Sequence, residues 1–381
     1  MLRGKCKGIT LVALVITIVI LLILAGISIS TLTNTGIFQK ARDAKKASEN
    51  AGKEQKQTLS EYEKELNKYT AQELTDDKIN RVLSETENIV LKDANSNIFT
   101  LPAGFKVVVN DDTGNAKTVD KGIVIEDATD AATKGSQFVW VPVGTIIKTD
   151  GTQVEIELNR YTFDEDGIAK AQNESVVDIY YSETKSKGNT VAKSISDFKL
   201  SVTTNGGYYI GRYEARTINP RTDKGDTLAQ ITEKGTDQVY NFVTQIQAAS
   251  QAKNMYNSSN FTSDLMNSYA WDTAVYFLQK FDNRANKASL KPYSRQNSLN
   301  TSLASQGTNN LEVSKQDVIC NVYDMASNCW EWTTETFSSS DFPCTYRGGL
   351  YDSSNYYTSF RGNTDTSNSY GHFSFRSLLY M

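Results

Sequence analysis

Four cysteines, one histidine and a C-terminal stretch crowded with Tyr, Asn, Asp, Ser and Thr are the residues of this chain best equipped to do chemistry. Cys6, Cys320, Cys329 and Cys344 show no C-x-x-C spacing, which argues against a zinc site or a dense disulfide scaffold. A single disulfide among the last three stays open, although each stands beside aromatic or apolar neighbours, where a small buried thiol is the expectation. One histidine, His372, cannot supply a multi-histidine metal catalyst. Neither a Ser/His/Asp arrangement nor a P-loop is legible, so no catalytic residue is assigned. The tail points elsewhere. Between Leu350 and His372, 17 of 23 residues are Asn, Asp, Ser, Thr or Tyr. Tyrosine offers rigid amphipathic area at low entropic cost, and Ser and Asn offer adaptable hydrogen bonds, the mixture that antibody loops use. The residues expected to contact a ligand are Tyr351, Asp352, Asn355, Tyr356, Tyr357, Arg361, Asn363, Asp365, Asn368, Tyr370 and His372. The alternative is a hydrophilic loop surface with no partner.

Behind the tail stand elements able to hold it. A chain of 381 residues with 39% hydrophobic and 10% aromatic content is long enough for a sizeable packed core. From about residue 88 the sequence alternates short β-prone runs (FKVVV, GIVIED, SQFVWVPVG, GGYYIGRYEA) with Asp, Asn and Gly clusters. Tyr269 to Phe281 reads as a helix, with Trp271, Val275 and Leu278 on one face. Residues 296–310 read as a polar surface loop, and no internal repeat is present. The fold class is therefore α+β. The formal net charge of -4, with no basic block after residue 7, excludes a nucleic-acid surface.

The N-terminus sets the location. Arg3, Lys5 and Lys7 precede a run from Ile9 to Gln39 without one charged residue, and its apolar front is long enough to cross a bilayer, which takes about 20 residues. The basic flank predicts a cytoplasmic N-terminus and a bulk that faces outward. The Lys7-Gly8 junction before the apolar run resembles a type IV prepilin leader. That resemblance implies cleavage after Gly8, leaving Ile9 as the mature first residue. Ile9 stands where the family usually has Phe, and Ala13 where it has the glutamate that helps subunits assemble. An uncleaved signal anchor is the alternative. The expected order is leader 1–8, apolar membrane or pilin helix 9–30, helical stalk 31–70, linker 71–87 and globular domain 88–381, with a display tail 350–372. On the stalk, Leu59, Tyr62, Leu66 and Tyr69 form an apolar stripe expected to pack on the domain or on another helix.

Four separated segments carry a second resemblance: FVWVPVG at Phe138 to Gly144, YYIGRYEA at Tyr208 to Ala215, NVYDMASNCWEWT at Asn321 to Thr333, and Arg347-Gly348-Gly349 followed by Phe375-Arg376. Their order is similar to that of formylglycine-generating-enzyme-like (sulfatase-modifying-factor) domains, which implies a C-type-lectin-like fold. The oxidases of that family use a cysteine pair between the Arg-Gly-Gly and the Phe-Arg; this chain has no cysteine between Gly349 and Phe375. The iron branch uses three histidines, which are also missing, so no redox cofactor is expected. The resemblance implies a structural calcium at Asp324, the carbonyls of Ser327 and Cys329, and Glu331, although Ser327 stands where the family has glycine. The tail is also similar to that of retroelement-diversified variable proteins. The function expected is a non-catalytic cell-surface ligand-binding protein or adhesin, held by its N-terminal helix in the membrane or in a pilus and binding an extracellular protein or glycan. A minor pilin, contacting other pilins, is the alternative, and a metal-dependent oxidase ranks last.

Overall fold

The computed structural model describes residues 17–22, 37–109, 117–129, 132–172, 192–282, 291–297, 317–336 and 341–381. The leader, Gly8, Ile9, most of the apolar run and most of the 296–310 loop lie outside these residues. Residues 17–22 are helical. Among the described residues no helix is long and apolar enough to cross a membrane.

The chain divides into two units, Met1–Leu59 and Ser60–Met381. Helix α1, Ile37–Thr70, runs through both. Its composition of Ala, Lys, Glu and Gln favours a long helix with little apolar area to bury. Within the second unit Ser60 is buried and its hydroxyl lies 2.5 Å from that of Thr204, while Tyr62, Leu66 and Tyr69 are exposed. Leu59, the last residue of the first unit, is also exposed. The stripe expected to pack on the domain therefore faces solvent, because the 60–70 stretch turns its polar side to the domain.

Among its described residues the second unit holds thirteen strands in three main sheets: β1 (Gln72–Glu73), β2 (Ile89–Lys92), β3 (Ile98–Leu101), β4 (Phe105–Val108), β5 (Val124–Asp127), β6 (Gln137–Pro142), β7 (Gly207–Gly211), β8 (Thr262–Leu265), β9 (Trp330–Thr336), β10 (Cys344–Arg347), β11 (Arg361–Thr364), β12 (Phe373–Phe375) and β13 (Ser377–Tyr380). Within the stretch 71–87, strand β1 pairs with β2 and Val82 bridges to Lys106. The largest sheet is antiparallel throughout, in the order β8-β13-β7-β6-β5-β4. The last strand of the chain thus lies between β7 and β8. Val139, Trp140, Val141, Tyr208, Tyr209 and Ile210 are all buried, as continuous apolar runs covered on both faces should be.

Helices α2 (Ile195–Asn205), α3 (Gln245–Lys253) and α4 (Ser268–Phe281) complete the architecture. Each starts at a side-chain cap, namely Ser194, Thr244 with a full capping box, and Asn267. Helix α4 is buried on most sides, consistent with its apolar composition. This is a mixed α+β fold of many short strands and one long helix.

The second main sheet, in the order β11-β10-β9-β12, frames the tail. Strands β9 and β12 run parallel, with Trp332 opposite Phe375, and β9 and β10 run antiparallel, with Glu331 opposite Arg347. After β10, Gly348 takes φ +89 and Gly349 lies so close to the 325–327 turn that a Cβ would stand 1.9 Å from the Ala326 carbonyl oxygen. Only glycine fits there.

Candidate ligand-binding face

The face is built outward from Trp332. Its ring is fully buried and stacks on Phe373 at 4.5 Å between centroids, 11° from parallel, and its indole N–H donates to the Val243 carbonyl at 2.7 Å. Strand alternation then turns Trp330, two residues earlier, to the same side. Trp330 meets Tyr346 at 4.6 Å, Tyr356 edge-on at 4.7 Å, His372 edge-on at 5.1 Å and Phe373 at 5.4 Å. From this centre the rings continue to the surface: Tyr356 to Phe360 at 4.8 Å, Phe360 to Tyr357 at 5.8 Å, and His372 to Tyr370 stacked at 5.5 Å. Tyr370 is 60% exposed, whereas Tyr346, Tyr356, Tyr357, Phe360 and His372 are half-buried. The Arg295 guanidinium lies 3.9 Å from the Tyr357 ring centroid. Such edge and stacked contacts fix ring orientations without closing the outer faces.

The electrostatics of the face are mild. Burial pulls His372 below the ordinary imidazole value, against Asp352, so the ring is neutral near pH 7. Burial, with Asp352, pushes the Tyr351 phenol up. The Trp330 indole nitrogen is buried and has no hydrogen-bond partner among the described residues.

Of the residues expected to bind a ligand, Tyr356 and His372 meet at Trp330, Tyr370 stacks on His372, and Tyr357 joins them through Phe360. Asp352 and Asn355 are exposed on the turn beside them, and Tyr351 packs on Val239 and Cys329. Asn363, Asp365 and Asn368 stand on β11 and the turn after it. There Asn363 donates to the Phe342 carbonyl, Asp365 accepts from Ser367, and Asn368 donates to the Thr364 hydroxyl. These three shape the turn more than they display. Arg361, with its side chain 23% exposed, pairs with Asp272 at 2.9 Å and Glu335 at 2.8 Å. Sequence reasoning missed Tyr346, Phe360 and Arg295. Tyr346 was findable, because it sits one residue before Arg347 in the strand that pairs with the Trp330 strand.

The side chains expected to hold calcium have protein partners in this structure. Both carboxylate oxygens of Glu331 accept from Arg376, Nη2 to Oε1 at 2.7 Å and Nε to Oε2 at 3.1 Å. Ser327 donates its hydroxyl to Asp317 at 3.0 Å and also contacts Asp324 at 3.4 Å. The Cys329 amide donates to Glu214 at 2.8 Å, and burial, with Glu331 and Asp324 adding to it, holds Glu214 well above the ordinary carboxyl range. A hard cation needs six or more free oxygens. Here an arginine already serves as the cation for Glu331. No group of three or more His, Cys, Asp or Glu able to hold a metal exists among the described residues. Cys320, Cys329 and Cys344 are free thiols, and burial raises all three above the ordinary value. Inert packing thiols behave this way, and reactive ones do not.

A separate cleft of about 700 Å³, lined in part by Phe105, Met255, Tyr256 and Phe261, contains none of the tail residues. No family model matches the chain, and no curated protein matches it. Two solved structures are similar over 66% of this chain, each with a TM-score of 0.37: PvdO from Pseudomonas aeruginosa, at 14% identity over 97% of that chain, and Treponema denticola variable protein 1, at 13% identity over 98% of that chain.

Proposed function

We propose that this chain is a non-catalytic surface protein that binds an extracellular protein or glycan through the aromatic face centred on Trp330. One observation carries the reading: Tyr356 and His372 meet edge-on at a single buried indole, and Tyr370, 60% exposed, stacks on His372. Half-buried rings that are already oriented lose little entropy on binding, and such residues dominate binding hot spots. The apolar run from Ile9 and the basic residues before it support an anchored chain whose bulk lies outside. The four separated sequence segments support a C-type-lectin-like domain, and the Asn, Ser and Tyr content of the tail supports a diversified binding surface.

The test is binding of cells displaying the full chain to panels of bacterial surface glycans and proteins. Replacing Tyr356 and Tyr370 together by alanine should reduce binding at least tenfold, which corresponds to about 1.4 kcal/mol. Undiminished binding by that variant would remove this face as the site.

A minor pilin is the second reading. It is favoured by the outward-facing Tyr62, Leu66 and Tyr69, a helix stripe suited to a neighbouring helix. Deleting the gene would then change filament assembly, and the tail variant would not.

A further inference from the structure

Three guanidinium groups and two carboxylates meet under β11. Glu335 receives Arg160 at 2.6 Å, Arg361 at 2.8 Å and Arg347 at 3.3 Å. Asp272 receives Arg347, and Arg361 at 2.9 Å. Among the described residues no third carboxylate lies within ion-pair distance of these arginines, so one positive charge is left over. Asp272 and Arg347 are fully buried, Arg160 and Glu335 nearly so, and only the Arg361 side chain, 23% exposed, opens to solvent. Arg347 spends further donors on the Phe360 and Ser359 carbonyls. The Nε of Arg160, by contrast, is buried with no partner.

An unbalanced charge in low-dielectric surroundings is costly, and a guanidinium cannot discard its proton to escape that cost. Arg160 and Arg361 both reach Oε1 of Glu335, so the two guanidiniums meet at one carboxylate oxygen, and the Nε of each is buried without a well-aligned hydrogen bond among the described residues. We propose that Arg160 and Arg361 together hold one monovalent anion of carboxylate size at the solvent-open end of the cluster. Planar forks of N–H donors suit that shape and charge. The site is independent of the aromatic face and does not depend on the ligand proposed for it.

The test is thermal unfolding of the full chain while acetate replaces a bulky sulfonate at constant ionic strength. The wild-type midpoint should rise and saturate, by about 3–5 °C at a hundredfold excess over Kd. Arg361→Gln removes the surplus charge and should give a flat titration. If that variant does not fold, Arg160→Gln removes the same charge and should give the same result. Benzoate separates the sources of the anion: a response to acetate alone marks an enclosed solvent ion, and a response to both marks a mouth open to a carboxylate carried by a larger ligand. A flat wild-type titration, or parallel rises in wild type and variant, overturns the proposal.

Discussion

Arg376 grips Glu331 with two donors, at 2.7 and 3.1 Å, and neither side chain reaches solvent. The same guanidinium donates to the carbonyls of Gly211 and Tyr323, each at 2.8 Å. One side chain therefore ties β9, the turn before it and the central strand β7 to the segment that leaves the tail. Burial works against the charge of Arg376 and the ion pair with Glu331 outweighs it, so the guanidinium stays protonated.

Removing one member of a buried pair strands the other, at a cost of about 3–5 kcal/mol. Arg376→Met should lose stability on that scale by denaturant unfolding. Adding Glu331→Leu should recover part of the loss, because the stranded carboxylate is then gone. A double variant worse than the sum of the singles would contradict the pairing.

The same contact predicts the response to calcium. With Glu331 occupied by Arg376, neither added calcium nor a chelator should move the thermal midpoint of the full chain by more than about 1 °C, since stabilisation by a ligand scales with its occupancy. A saturable rise with calcium at constant ionic strength would show a site formed by other oxygens.

The strands were legible where apolar runs met turn residues. FKVVV, GIVIED and SQFVWVPVG became β4, β5 and β6, and the helix expected from Tyr269 begins one residue earlier, behind its Asn267 cap. The tail's composition located the candidate face, because tyrosines crowd where rings are to be displayed. What composition could not show is direction. Arg361 and Tyr356 stand five residues apart in one polar stretch, yet one turns into an ion cluster and the other onto an indole. Such choices depend on partners distant in sequence, here Asp272, Glu335 and Trp330. Of the two partners expected for the stripe from Leu59 to Tyr69, the domain is the one it does not meet. Its spacing promised burial, but Ser60, on the other side of the helix, is the buried residue.

Glu233 predicts a dependence on pH. Burial raises its carboxyl to about 8, against bonds from Ser377, from an ordinary value of 4.5. The folded state therefore keeps a proton that the unfolded state releases between these values, so this contribution to stability is full below pH 4.5 and is lost as pH rises through about 8. Glu233→Gln should flatten that part of the stability profile, measured by denaturant unfolding from pH 5 to 8. An unchanged slope would mean that Glu233 is ionised in the folded protein. The fit is tight on this side of β7, where a Cβ on Gly211 would stand 2.5 Å from the Glu233 carboxylate.

Trp330 and Trp332 allow one substitution to be compared in two settings. The Trp332 indole N–H donates to the Val243 carbonyl at 2.7 Å, whereas the buried Trp330 N–H has no partner among the described residues. Phenylalanine removes similar ring area at both positions. At position 332 it also leaves a buried carbonyl without its donor, a loss of about 1–3 kcal/mol, while at position 330 it removes a donor that was already unpaired. Trp332→Phe should therefore destabilise more than Trp330→Phe by roughly that amount in denaturant unfolding. Equal losses would mean that the Trp330 N–H has found an acceptor in solution, which a bound ligand with a hydroxyl or carbonyl oxygen would also provide. Trp330→Phe measured with and without ligand would then separate a bond to water from a bond to the ligand, because only the second lowers affinity when it is removed.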